Sequence, residues 1–234
     1  VGLEGFYERC EGQDFLARPA RLHLYSTDYV EQTLLPRLLP ILRSQAPNLT
    51  LVTCNTRGLL PREELEKGTC DLAVAGFYTD LPETFHQQRL LSEPLVVLAS
   101  RSHPGLENGL DLDTFLASDH LLTTLTGDLD GLVDRALRSQ GMQRRVVAGL
   151  SSFLAPMRLL RGTDLLLTCL RSLATEAVER DDDLLMYPLP LTLPAIEVMQ
   201  IWHERTHADP LRRWFRQQLW NVAQEAAACA SNNF

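Results

Sequence analysis

Residues 67–75 read KGTCDLAVA, and residues 161–168 read RGTDLLLT. In each, a basic residue and a glycine close a helix, and a short turn feeds an apolar strand through aspartate. Glycine suits that place because it takes up the left-handed backbone with which helices commonly end. Both stretches also belong to units that open alike: a strand, a hydroxyl pair (Ser26-Thr27 or Ser151-Ser152), then a helix. Two α/β halves on one plan are the simplest reading.

The flanking sequence extends that plan. RLHLYS (21–26), LTLVTC (49–54) and CDLAVAGF (70–77) read as strands of the first half. LVVLAS (95–100), HLLTT (120–124), RVVAGL (145–150), DLLLTC (164–169) and LLMYPL (184–189) read as strands of the second. Helices are expected at 29–45, with Pro36 and Pro40 kinking it by removing backbone donors, and at 60–68. Strands alternating with helices predict parallel sheets in an α/β architecture. Pro94 and PLPLTLP (188–194) mark the expected crossover strands, stiff but hinged. A strand at 195–202 and a helix at 210–224 then return the chain to the first half. The expected divisions are 19–93 with 195–226 for one subdomain and 94–194 for the other. Residues 1–18 read as the end of a connecting helix, with Leu3, Phe6, Tyr7 and Cys10 along one side, and 227–234 as a tail.

Bulk properties narrow the function. The 234 residues, 45% apolar and 22% charged, are ordinary for a soluble globular chain. A net charge of −8 disfavours nucleic-acid binding by this stretch itself. Five cysteines are odd in number and scattered; Cys54, Cys70 and Cys169 fall in or beside apolar runs, which suits buried thiols in a reducing cytoplasm. No apolar run approaches a membrane span and no signal-peptide pattern opens the chain, so no membrane partner is expected. The first residue is Val, which suits a fragment of something longer.

Residues 201–210, IWHERTHADP, contain a match to H-E-x-x-H, a zinc-protease pattern that works only when both histidines face one metal from a helix. Here AIEVMQIW (195–202) reads as a strand, and Asp209-Pro210 reads as the start of a helix. His203 and His207 therefore straddle a strand end and a loop, and no metal or other cofactor is expected. GLSSF (149–153) lacks the second glycine of a nucleophile elbow. His86 has no spaced partner, Asp181–Asp183 reads as a solvated helix end, and Arg212, Arg213 and Arg216 read as a solvent face. No catalytic set emerges, so the chain is not expected to be an enzyme.

The recurrent polar feature is hydroxyls where strands give way to helices: Ser26-Thr27, Asn55-Thr56, Thr123-Thr124-Thr126 and Ser151-Ser152. Each is an ordinary helix cap by itself. Several gathered at the carboxyl ends of strands would line a crevice suited to an anionic ligand.

LLPRLLPILRSQAPNLTL, LEKGTCDLAVAG and LLSEPLVVLASRSHPGL together resemble the effector-binding domain of LysR-type bacterial transcriptional regulators. IWHERTHADPLRRWFRQQL resembles the subgroup of nodulation and aromatic-degradation regulators. The resemblance spans about residues 18–222. It implies two Rossmann-like subdomains joined by two crossover strands, of the type 2 periplasmic-binding-protein kind, with an interdomain cleft for a small-molecule effector. It implies effector contacts from Ser26, Thr27, Asn55, Thr56, Ser100, Thr124, Ser152, Phe153 and His203. It further implies a homodimer or homotetramer, and DNA binding only through an N-terminal winged helix-turn-helix that these residues do not include. Pro40 and the Asp181–Asp183 loop depart from the family's pattern. A solute-binding receptor of the same fold is the alternative.

Overall fold

The computed structural model describes residues 14–76 and 80–231. The expected connector segment at residues 3–10 lies outside them. The chain divides into two compact units. Of the described residues, unit 1 holds 14–56, 60–76, 80–91 and 198–231, and unit 2 holds 57–59 and 92–197.

Unit 1 opens with a short helix α1 (Asp14–Ala17), strand β1 (Ala20–Ser26), and helices α2 (Asp28–Thr33) and α3 (Leu35–Gln45). The expected 29–45 helix is thus two helices. The break falls at Leu34, and Pro36 takes the first turn of α3, where its missing N–H costs nothing. Pro40 is accommodated inside α3. Strand β2 (Leu49–Asn55), helix α4 (Arg62–Lys67) and strand β3 (Leu72–Gly76) follow. Gly68 ends α4 in the left-handed conformation, φ +79°.

Strand β4 (Phe85–Glu93), which the sequence did not suggest, carries the chain toward unit 2. Its FHQQRLLSE has four consecutive polar residues and no alternation to betray it. Unit 2 contains β5 (Leu95–Ser100), α5 (Leu112–Ala117), β6 (Asp119–Thr123), α6 (Leu132–Ser139) and β7 (Arg145–Leu150). It continues through α7 (Ala155–Leu159), β8 (Leu165–Leu170), α8 (Arg171–Arg180) and β9 (Leu184–Pro188). Strand β10 (Ile196–His203), a 3-10 turn (Glu204–Thr206) and the long helix α9 (Pro210–Ser231) complete unit 1.

Each unit is built on one five-stranded sheet, ordered β2-β1-β3-β10-β4 and β7-β6-β8-β5-β9. The sheets are mixed rather than parallel. β1, β2 and β3 run parallel, as do β6, β7 and β8. However, β10 is antiparallel to β3, and β5 is antiparallel to both β8 and β9. The reversed β10 and β5 are the strands by which the chain re-enters one unit and enters the other.

The apolar rows fill each interior. Leu22 and Leu24 of β1, with Leu34, Leu38, Phe215 and Leu219, are completely or almost completely enclosed in unit 1. In unit 2, Val97, Ala99, Phe115, Leu137 and Leu166 form one cluster, and Leu98, Leu160, Leu167 and Ala174 belong to another. Burial pushes the thiols of Cys70 and Cys169 up to about 12, which leaves them unreactive.

The two echoing stretches are only partly equivalent. Asp71 is buried and holds unit 1 together. It takes the His23 amide at 2.8 Å and Nε of Arg212 at 2.6 Å. Asp164 is exposed, and Gly162, φ +67°, lies in a turn beyond the end of α7. Arg212 is therefore no solvent-facing residue. Nor is Arg216, which is enclosed over the Trp202 ring and donates to the carbonyls of Thr206 and His207. Only Arg213 of the three is exposed.

Candidate functional site

In unit 1 the carboxyl ends of β1 and β2 lie side by side, with Ser26 in register with Asn55. Leu22, Leu24 and Ser26 share the buried face of β1, so an apolar row ends in a hydroxyl. The Thr56 amide donates to the Ser26 carbonyl at 3.0 Å, which fixes the two residues together. Ser26 is 1% exposed and Thr56 6%, yet neither Ser26 Oγ nor Thr56 Oγ1 has a hydrogen-bond partner. Buried hydroxyls are normally paired, and leaving one unpaired costs about 1–3 kcal/mol. Thr27, also buried, sits at the cap position of α2 without capping it. Asn55 is exposed beside them.

In unit 2 the ends of β6 and β7 bring together Thr124, Ser152 and Phe153. The Thr124 amide donates to the Leu150 carbonyl at 2.9 Å, and its Oγ1 accepts from the Gly127 amide at 3.0 Å. Ser152 Oγ accepts from the amides of Leu154 and Ala155, a local turn bond ahead of the helix whose cap position is Leu154. Gly149 lets the strand lie close here: a Cβ would come 2.9 Å from Thr124 Cγ2 and 2.7 Å from Leu129 Cδ2, so those side chains would have to shift.

Two residues of the expected set lie elsewhere. Ser100 ends β5, which runs antiparallel to β8 and so finishes level with the beginning of β6. It is at the opposite edge of its sheet from Thr124 and Ser152. There it donates to Asp183 Oδ2 at 2.8 Å and accepts from the Gly162 amide at 3.2 Å. Asp183 is accordingly a structural partner and no mere solvated helix end.

His203 is displaced for the same reason. Tyr25 is level with Ala73, and Ala73 with Ile201; antiparallel β10 then carries His203 away from Ser26, about 10 Å along the strand direction. It packs edge-on against Phe85, and its Nδ1 accepts from the Arg205 amide at 3.2 Å. The strand and 3-10 turn also place His203 and His207 off any helix, so the protease geometry is not formed.

Among the described residues no helix is long and apolar enough to cross a membrane. The family model for the LysR substrate binding domain matches residues 18–224. The chain is 32% identical over 220 residues to the HTH-type transcriptional activator NahR of Pseudomonas putida, covering 94% of this chain and 73% of NahR. It is 36% identical over 193 residues to the HTH-type transcriptional regulator SyrM 1 of Sinorhizobium fredii, covering 82% of this chain and 56% of that regulator. The crystal structure of the regulatory domain of MexT, a transcriptional activator in Pseudomonas aeruginosa, matches with a TM-score of 0.76 and 29% identity. That alignment covers 88% of this chain and 99% of the MexT domain. These relatives are regulators, which favours neither an enzyme nor a solute receptor. The chain belongs to the LysR family of transcriptional regulators, and residues 18–224 are its effector-binding domain.

Proposed function

We propose that the effector is a small organic anion with an apolar or aromatic body. Its charged end meets Ser26, Thr27 and Thr56 of unit 1, with Asn55 at the rim. Thr124, Ser152 and Phe153 of unit 2 are a second candidate contact set, carried over from the family resemblance. Ser100 and His203 are not part of this proposal, since each is at the far edge of its sheet. The observation that carries it is the pair of buried, unpartnered hydroxyls, Ser26 Oγ and Thr56 Oγ1. A ligand that bonds both oxygens recovers the cost of burying them without a protein partner. A ligand touching both units biases the chain toward the arrangement that satisfies both. In the whole regulator that bias passes to a DNA-binding segment, and a homodimer or homotetramer in the cytoplasm is its setting.

A thermal-shift screen of small organic acids tests this reading. A hit whose affinity falls in both Thr27→Val and Ser152→Ala supports one ligand held by both sets. A hit insensitive to both, with the fold intact, places the ligand elsewhere. Self-association has its own support in α3, where Leu39 remains 44% exposed on a leucine-rich helix. Sedimentation at tens of micromolar that returns a monomer mass would count against it.

A further inference from the structure

We propose that His86, Glu204 and His207 form a surface site for a divalent transition-metal ion of the zinc, nickel and copper class. One ligand atom from each of the three lies within 4.8 Å of the others. Bonds of about 2.0–2.2 Å to a tetrahedral ion put its donors roughly 3.4 Å apart, a spacing side-chain rotation of these exposed and half-buried residues can reach. Two imidazoles of three donors suit these ions over calcium or magnesium, which take oxygen ligands, and the carboxylate is a ligand zinc also accepts.

The fold assembles the set from two places. His86 stands near the start of β4, and Glu204 and His207 follow the end of β10, its neighbour in the sheet. The Glu204 amide donates to the Thr84 carbonyl at 2.8 Å, so the turn is tied to the strand that carries His86. His86 bonds the Glu204 carboxylate and stacks on His207, with ring centroids 4.1 Å apart. Trp202 backs both imidazoles, and Arg216 anchors the His207 carbonyl at 2.8 Å from beneath. Such outer contacts hold metal ligands in place.

The H-E-x-x-H spacing pairs His203 with His207, whereas the fold pairs His86 with His207. That is why the sequence supplied no third ligand. The site is also apart from the Ser26 and Thr56 hydroxyls, so it is a second input and not a part of the effector contacts.

Capture of an ion has a built-in reporter. Trp202 Nε1 donates to His207 Nδ1 at 3.1 Å, and an indole N–H only donates. An ion on Nδ1 displaces that hydrogen bond. An ion on Nε2 forces the ring's proton onto Nδ1, where it faces the indole N–H. Either way the Trp202 environment changes.

The test is calorimetric titration of tag-free protein with zinc chloride and with nickel sulfate, alongside tryptophan fluorescence. One ion per chain is expected, with an emission change that saturates in parallel. His86→Ala and His207→Ala should each weaken binding at least about tenfold. Glu204→Gln, at an exposed position, should weaken it with the fold unchanged. His203→Ala should leave affinity within about twofold. Absence of saturable binding overturns the proposal. So does wild-type affinity in both His86→Ala and Glu204→Gln, or a loss in His203→Ala as large as that in His207→Ala.

Discussion

Arg144 and Asp134 make a two-point ion pair inside unit 2: Nε and Nη2 of the guanidinium donate to the two carboxylate oxygens at 2.8 and 3.0 Å. The arginine side chain is completely enclosed and the aspartate 13% exposed. Asp134 also accepts from the Gly131 amide at 3.0 Å, which closes the first turn of α6. Removing one partner strands a buried charge and costs about 3–5 kcal/mol, whereas removing both leaves none. Arg144→Met and Asp134→Leu should therefore each lower the urea midpoint sharply. The double variant should lose far less than the two losses added. Additive losses would show that the two side chains are not energetically coupled.

The same arginine fixes the protonation of His120. Nη1 of Arg144 faces His120 Nδ1 at 3.4 Å, and His120 Nε2 lies 2.7 Å from the Phe115 carbonyl. Arginine only donates, so Nδ1 accepts, Nε2 donates, and the ring is neutral. Burial, aided by the Arg144 charge, pushes the imidazole down to about 4, against the Phe115 hydrogen bond and nearby aspartates. In the unfolded chain it titrates near 6.5. Between those values the unfolded state holds more protons, so stability is full above about pH 6.5 and declines as pH falls toward 4. The decline attributable to this group is of order 3 kcal/mol. Denaturation curves at pH 7 and pH 5 should show it, and His120→Gln should flatten the dependence. An equally steep dependence in that variant would assign it to other groups.

The two glycines of the echoing stretches should respond differently to a methyl group. Gly68 and Gly162 both have positive φ, so alanine costs about 1–2 kcal/mol at either. A Cβ at Gly162 meets open space, whereas one at Gly68 would lie 2.8 Å from the Arg205 guanidinium carbon. Arg205 Nη1 donates to the Glu66 carbonyl at 2.7 Å, so moving it also sacrifices that bond. Gly68→Ala should thus lose about 1 kcal/mol more than Gly162→Ala. Equal melting temperatures for the two variants would contradict this.

What the sequence disclosed was local. LVVLAS and RVVAGL announce strands at 95–100 and 145–150 because adjacent residues carry the pattern, and KG at 67–68 announces a helix end in the same way. Strand direction is not local. Nothing in residues 95–100 says that β5 runs against β8, yet that reversal puts Ser100 level with the start of β6, away from Thr124. The reversal of β10 likewise carries His203 away from Ser26. Partners distant in the chain were equally hidden: Arg212 looked like a solvent residue until Asp71, 141 positions away, closed on it. Ser26 and Asn55, which end strands of the parallel set, and Thr124 and Ser152, which follow such ends, stand out because polar turn and cap residues collect there.

Ser26 and Thr56 lead to the last prediction, in which stability and binding move in opposite directions. Each hydroxyl is buried with no protein group bonded to it, so folding withdraws it from bulk water without a protein partner in exchange. Ser26→Ala removes that debt without adding bulk, and Thr56→Val replaces the hydroxyl with a methyl of the same shape. Each should raise the stability of the ligand-free protein by about 1 kcal/mol. Affinity for an effector that bonds these oxygens should fall about tenfold per lost hydrogen bond, the factor that 1.4 kcal/mol represents. Urea denaturation without ligand and calorimetric titration with a screened organic acid measure the two halves separately. If Ser26→Ala is less stable than the parent, the hydroxyl is bonded within the fold and does not await a ligand. If both variants are more stable and bind unchanged, the unpaired hydroxyls are a cost of the fold, and the effector's charged end is held by other groups.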